Sequence, residues 1–377
     1  MKPFITTRSA HSALMTCRRL RYLNYHVGGR GVVPAAMNPA LGFGTFTHRL
    51  LAEGLRQPLD YDLLGYAEQE MAAEAALWQL GGMEQNQAPL WLAAALAAVW
   101  QERHLPLILR DYEVISVEDE WLLNLPAASQ FIGNKIQLPY RIDAVLRHRG
   151  DGSLVPLDFK TISYAKDEAL RAYDYDMQTL LHTWATEVHF GEPCSRVMLH
   201  FLYKGSNRNG VYYSPLVTGY RKAAAPPFVE EQVSWEYRAN WARFNTWEYP
   251  GGLRAWLRRL PESVLASQVL TREVYRHADV DNFVRQFAVQ EDQVADALLA
   301  LDEADSEEMR NLVMDSVFPG NLDSTCWHNR FGQRCAYVSL CFEGKTVEEA
   351  LASGEFGRRV PHSAAELAAV TAEEEKK

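Results

Sequence analysis

The sequence predicts an α/β fold in which a mixed sheet with a crossover helix is wrapped in helical material. Three observations lead there. Apolar spacing is helical up to about residue 103, strand-like between 111 and 161, and helical again toward the C-terminus. Two apolar, β-prone runs flank Gly150-Asp151-Gly152, a strong hairpin signal. An amphipathic stretch over 165–190 follows the second run directly, and another strand-like run comes after it.

The elements follow in order. Residues 9–26 read as a helix, with Ser9 or Ser12 as N-cap and Leu14, Cys17, Leu20 and Leu23 at helical spacing. Pro34, Pro39 and Gly42 mark a loop before a helix from Phe43 to Leu55. Residues 62–80 and 89–103 form an Ala-rich helical pair split by Gly81-Gly82. Strands are expected at 111–118, 120–125, 136–147 and 154–161. The 165–190 helix carries Leu170, Tyr173, Met177, Leu180, Leu181, Trp184 and Val188 as its apolar stripe. Strands at 197–203 and 211–220 precede helices at 229–245, 252–260 and 280–318, the last broken near 303–306. Together these read as one domain over 1–365. It has a helical insertion at about 56–108, a core at about 109–220, a helical C-terminal part at about 225–345 and a charged tail over 366–377.

Composition is that of an ordinary globular protein, 47% hydrophobic and 23% charged. The longest apolar run, Ala88 to Trp100, is too short to span a bilayer, and no signal-peptide pattern is visible. A cytoplasmic location is expected, where five cysteines are not explained by disulfides. A net charge of −10 argues against indiscriminate binding of polyanions. Residues 1–50 nevertheless hold seven Lys or Arg and no Asp or Glu, which fits either a localised phosphate-binding groove or ordinary surface charge.

The hairpin carries the chemistry. Asp143 and Asp158 are equidistant from the turn's midpoint, so a regular register sets them opposite each other. Asp158 and Lys160 project from the same face of their strand, with Phe159 opposite. Two carboxylates and an ammonium in one patch suit Mg²⁺ or Mn²⁺ and a lysine that steadies charge on phosphate. The plainer alternative is the wet face of an ordinary strand. Asp174, Gln178 and His182, at i, i+4 and i+8, line one face of the following helix. They are either its solvated edge or groups reaching toward the hairpin. His48 near a helix start is a candidate metal ligand, and Glu118 is a further carboxylate from a neighbouring strand. Cys326, Cys335 and Cys341 lie close in sequence, with Cys17 some 300 residues earlier; iron–sulfur ligation, zinc and free thiols all fit that spacing. Trp235, Trp241, Trp247 and Trp256 read as core rather than base-stacking platforms.

Taken in order, these pieces resemble the RecB-like branch of the PD-(D/E)XK nuclease superfamily, in particular its iron–sulfur members. Ser12-x₄-Cys17-Arg-Arg-x-Arg-Tyr22 resembles the N-terminal cysteine motif. Gly44-x₃-His48 resembles the G-x-x-x-H motif, and Ile142-Asp143 with Leu157-Asp158-Phe159-Lys160 the catalytic core. Gln178-x₃-His182 resembles Q-x-x-x-Y, with His182 in the tyrosine's place. Phe318-Pro-x-Asn321, Cys326, Cys335-x-Tyr337 and Cys341 resemble the C-terminal cluster segment.

The resemblance implies a restriction-endonuclease-like core closed by an iron–sulfur staple between the chain's two ends. It implies Asp143, Asp158, Lys160 and Gln178 as catalytic residues. It further implies divalent metal on His48, Asp143, Asp158 and the Phe159 carbonyl, with Glu118 as an added ligand. A [4Fe–4S] cluster on Cys17, Cys326, Cys335 and Cys341 follows, and Arg18, Arg19, Arg21 and His182 stand as substrate contacts. The expected activity is metal-dependent DNA hydrolysis, exonucleolytic, in a prokaryotic or phage-infected cell. DNA, single-stranded or with ends, is the expected partner; recombination, replication or CRISPR-related proteins and a second copy of the chain are further candidates. The alternative is a silent nuclease-like protein that binds DNA or recruits partners.

Overall fold

The computed structural model describes residues 3–35, 39–80, 87–126, 135–163, 170–205, 214–277, 279–320, 326 and 335–374. Two compact units are distinguished. One comprises residues 37–119 and 142–276; the other comprises 1–36, 120–141 and 277–377.

The first unit is built on a five-stranded sheet. Its strands run in the order Val269–Tyr275, Arg196–Tyr203, Leu154–Ile162, Ala144–His148, Tyr112–Val117. The central pair, Leu154–Ile162 with Arg196–Tyr203, is parallel and the other pairs are antiparallel. A parallel pair requires a crossover, and the helix Met177–Phe190 supplies it. That helix is shorter than the expected 165–190. Residues 164–169 lie outside the described residues, Ala172–Tyr175 is a 3₁₀ turn, and Asp176 starts the helix proper by accepting from Gln178 N at 2.8 Å. Gly191, in the left-handed region at φ +69°, ends it.

Period-two alternation gives the sheet two different faces. Leu157, Phe159, Met198 and Leu202 join the main core with Phe43, Phe46, Leu50, Leu92, Leu96 and Trp100. These come from the helices Pro39–Arg56 and Ala88–Arg103. The latter buries ten residues all round, as its Ala- and Leu-rich sequence dictates. Each buried Leu contributes about 1.5–3 kcal/mol. On the other face Val197, Leu199 and Phe201 meet Leu170 and Tyr173.

The stretch expected as a helix over 229–245 is instead a 3₁₀ turn and two strands, Val233–Ser234 and Trp241–Asn245, flanking Thr218–Lys222. Its aromatic and β-branched residues prefer a half-buried pleated surface. Of the four tryptophans, Trp256 is fully buried and donates to Pro215 O at 2.8 Å, Trp235 and Trp247 are half-buried against the main core, and half-buried Trp241 lies beneath Arg238 at 5.4 Å. Trp247 stacks on Trp91 at 5.6 Å. The helix at 252–260 forms as Gly252–Arg259.

In the second unit, Phe4–Ile5 pairs in parallel with Ile136–Arg141, which pairs in antiparallel with Glu120–Asn124. The helix expected over 9–26 is two, Arg8–Thr16 and Arg18–Tyr25, broken at Cys17, whose backbone is extended at φ −163°. The long helix Val280–Glu303 and the helix Glu307–Val317 flank the expected break. Buried Glu291 on the long helix accepts from Arg21 at 2.8 Å and Thr6 at 2.7 Å and pairs with His11 at 2.8 Å. The residues expected as a featureless tail include the helix Ala364–Glu374. Among the described residues no helix is long and apolar enough to cross a membrane.

Candidate active site

The hairpin forms as its turn predicts. Ala144 pairs with Leu157 and Arg147 with Leu154, a register that sets Asp143 opposite Asp158. The expected strand 136–147 does not run through, however. Ile136–Arg141 ends one strand, Ala144–His148 begins another, and Asp143 occupies the bend between them.

That bend decides where the two carboxylates go. Asp143 Oδ2 accepts from the Phe159 amide at 2.6 Å, and Oδ1 lies 3.1 Å from His48 Nδ1. The Asp143 carbonyl accepts from Glu118 N at 3.1 Å. Glu118 sits in the left-handed region at φ +58°, which costs a non-glycine residue about 1 kcal/mol. Ligand atoms of His48, Glu118 and Asp143 all fall within 4.8 Å of one another, and all three residues are half-buried.

Asp158 belongs to a different set. It is 1% exposed. Its Oδ2 lies 2.6 Å from Lys160 Nζ, and its Oδ1 accepts from Gln178 Nε2 at 3.2 Å and lies 3.6 Å from His182 Nε2. Lys160 Nζ also donates to Gln178 Oε1 at 2.6 Å, closing a ring of three side chains. The Gln178 amide is thereby oriented, its oxygen to the cation and its nitrogen to the anion. Burial alone would raise the Asp158 carboxyl, but Lys160 and His182 beside it hold it well below the usual carboxylate range. Burial would likewise lower His48, yet the charge and hydrogen bond of Asp143, with Asp158 beyond, raise it above an ordinary histidine.

Behind both sets lies a layer the sequence did not disclose. The fully buried Phe159 ring meets Trp100 edge-on at 5.4 Å, His48 at 6.0 Å and His200 at 6.0 Å. Trp100 Nε1 donates to His200 Nδ1 at 2.9 Å. Burial, with His104 nearby, pushes His200 down to about 3, so its ring is a neutral acceptor. Only the apolar character of the Ala88–Trp100 run hinted that Trp100 would be buried.

Other expected residues are placed as follows. Asp174, on the stripe with Gln178 and His182, pairs with Arg272 Nε at 3.0 Å and stands outside the Asp158 ring. His182 is 1% exposed and faces Asp158, which fits positioning of that carboxylate rather than contact with a bound strand. Arg21, expected to touch substrate, is also 1% exposed and committed to Glu291; it is a structural cation. Arg19 pairs with Asp315 at 3.1 Å, and Arg18 borders a cavity of about 360 Å³ beside Cys17. Asn321 lies outside the described residues.

Cys17, Cys326, Cys335 and Cys341 all belong to the second unit. The Cys335 amide donates to Cys326 O at 2.9 Å. Burial pushes the Cys341 thiol up to about 11, with Cys335, Cys17 and Cys326 adding to the rise. Among the described residues no three cysteine sulfurs approach within the 4.8 Å that groups the His48 set. Cys194 stands apart in the first unit, buried, with its thiol pushed up to about 12 by that burial.

No curated protein matches the chain. A solved structure described as "Crystal structure of SSO0001" is 13% identical, covering 74% of this chain and 98% of that one, at a TM-score of 0.25, too loose to bear on the fold. A family model for the PD-(D/E)XK nuclease superfamily matches residues 6–342, a span that takes in both sets of site residues. The chain therefore belongs to the PD-(D/E)XK nuclease superfamily.

Proposed function

We propose that this protein is a metal-dependent deoxyribonuclease whose centre is the Asp143–Asp158–Lys160 hairpin. The observation that carries this reading is that one strand serves both sets of side chains. Phe159 donates its amide to Asp143, while its neighbours Asp158 and Lys160 hold Gln178. The donor set fits a hard divalent cation: two carboxylates and an imidazole within 4.8 Å suit Mg²⁺ or Mn²⁺. In this reading His48, Glu118 and Asp143 hold the ion, with Asp158 and the Phe159 carbonyl as further oxygens. When bound, the ion supplies positive charge beside the scissile phosphate and acidifies water there.

The chain's own groups supply the rest. The Lys160 ammonium, fixed between Asp158 and Gln178, is placed to offset charge that develops on the phosphoryl oxygens. Asp158 stays ionised and so keeps Lys160 in place. His182 supports Asp158 from the buried side. An exonuclease acting on DNA ends in a prokaryotic or phage setting is the form of the activity we favour, from the likeness of the motifs.

Asp158→Ala and Lys160→Ala, assayed on labelled single- and double-stranded DNA with Mn²⁺, test the reading. Both should lose cleavage by at least a hundredfold. Cleavage at the wild-type rate by both variants sinks the assignment. DNA binding without cutting by the wild type would favour a silent, adaptor-like protein.

We further propose that Cys17, Cys326, Cys335 and Cys341 hold a [4Fe–4S] cluster. A single zinc at about 2.3 Å from each sulfur would bring sulfurs to about 3.8 Å apart, closer than any such set among the described residues. A cubane tolerates wider spacing. Anaerobic purification with iron and sulfide analysis tests this; stoichiometric zinc would refute it.

A further inference from the structure

The face of the central strand opposite Asp158 holds a cation that the site above does not use. Lys204 follows the strand Arg196–Tyr203, and its amide donates to Ile162 O at 2.8 Å, at the end of the central strand. Its ammonium lies 5.6 Å from the centroid of the Phe43 ring. Phe43 is fully buried and stands on the same helix as His48. They are five positions apart, about 7.5 Å of helical rise. The next residue, Gly44, lies against Thr161: a Cβ there would stand 3.8 Å from Thr161 Oγ1. The second turn of the histidine helix, the end of the central strand and Lys204 thus meet little more than one turn from the metal-ligand group.

Lys204 is half-buried, and burial lowers the pKa of its ammonium. Among the described residues no carboxylate lies within ion-pair distance of it. Two other cations near the site do have one, Lys160 with Asp158 and Arg49 with Glu74, while Arg56 donates to the Val117 carbonyl. A cation partly removed from water without a counter-charge is unfavourable in the free protein. An anion that arrives with the substrate would relieve that cost. A phosphodiester strand laid across His48 and Asp143 carries one charge per nucleotide, so a charge adjacent to the scissile one is the nearest candidate.

We propose that Lys204 binds a backbone phosphate next to the one that is cut, with the Phe43 ring steadying its stem. The proposal deepens the nuclease reading and rests on it. A phosphate contact of this kind positions the strand and carries no sequence preference. A single-stranded substrate gives a slope of about −0.7 in log K against log salt per phosphate neutralised, so one contact is worth about fivefold between 1 M and 0.1 M salt.

The test compares wild type, Lys204→Met and Lys204→Arg. A labelled single-stranded oligonucleotide is titrated by fluorescence anisotropy over a salt series, with Ca²⁺ in place of Mn²⁺ to allow binding without cutting. Methionine preserves the apolar cover on Phe43. Lys204→Met should lower the salt slope by about 0.7 and weaken binding about fivefold at 0.1 M salt, whereas Lys204→Arg should keep the wild-type slope. Methylphosphonates placed one at a time should include a position that weakens wild type and leaves Lys204→Met unaffected. Equal slopes and equal responses at every position overturn the assignment and leave Lys204 as a ring-stacked structural cation. Lys204→Gln gives the same readout should the methionine variant not fold. If wild type neither binds nor cuts DNA, the nuclease reading falls and this one falls with it; if wild type cuts and Lys204→Met behaves identically, only this one falls.

Discussion

Replacing Glu291 by Gln should destabilise the cysteine-bearing unit more than any change to its surface. Glu291 is fully buried, and its carboxylate is shared by Arg21 at 2.8 Å, His11 at 2.8 Å and Thr6 at 2.7 Å. The glutamine keeps the shape and removes the charge, stranding the Arg21 guanidinium at 1% exposure. With charge centres about 4 Å apart and an effective dielectric of about 20, the lost attraction is about 4 kcal/mol. Half-broken buried pairs cost about 3–5 kcal/mol. Against a total stability of about 5–15 kcal/mol, that is a large share. The two partners flank Cys17, His11 on the helix before it and Arg21 on the helix after it. The variant should therefore also hold less iron when purified anaerobically. Chemical denaturation monitored by circular dichroism gives the stability, and Glu291→Leu combined with Arg21→Met should recover much of the loss. The pH dependence has a definite sign. The folded Glu291 carboxyl is depressed, because Arg21 and His11 outweigh its burial. Its contribution is thus present above the unfolded value near 4.5 and fades as pH falls through the lower folded value. A midpoint for Glu291→Gln within experimental error of wild type at pH 7 would refute the reasoning, as would equal acid sensitivity of the two proteins.

Other changes probe the site itself. Gln178→Ala removes a bond to a cation and a bond to an anion; at about 1.5–3 kcal/mol for a bond to a charged group, kcat/KM should fall roughly 10- to 150-fold. A loss under twofold would show that Lys160 is held without it. Trp100→Phe leaves His200 Nδ1 without its 2.9 Å donor, costing about 1–3 kcal/mol in addition to the cavity, read as a lower denaturation midpoint. An unchanged midpoint would mean that the layer behind Phe159 is not stabilising. Gly31→Ala puts a Cβ 2.1 Å from the Asn24 carbonyl at φ +80° and should destabilise by more than about 1 kcal/mol, whereas wild-type stability would show that this turn can rearrange freely.

The hairpin register was legible because a Gly-Asp-Gly turn and period-two alternation fix pairing locally. The strand break at Asp143 was not. Residues on both sides of it are equally β-prone, and the chain bends there because Ile136–Arg141 pairs with Glu120–Asn124 while Ala144–His148 pairs with Tyr112–Val117. Partners that distant in sequence leave no local signal. The same holds at Cys17, where helical spacing continues through a residue whose backbone is extended. The edge strand Val269–Tyr275 went unread for another reason: only Val269 and Val274 are buried, so its apolar pattern is sparse.

The break at Asp143 has a chemical consequence that a continuous strand would not produce. In an unbroken register the side chains of Asp143 and Asp158 would project to one face and crowd, and two carboxylates so close cannot both stay ionised without a cation. The bend turns Asp143 to the Phe159 amide and to His48, while Asp158 keeps the opposite partners Lys160, Gln178 and His182. Each carboxylate thus has its own positive or donating neighbours. The two sets still share three consecutive residues of one strand, so a small shift of the backbone at Phe159 moves both together. The buried Phe159 ring, held edge-on by Trp100 and backed by a neutral His200, resists that shift. Precision at the hairpin therefore depends on a layer containing none of the charged residues that identify the site.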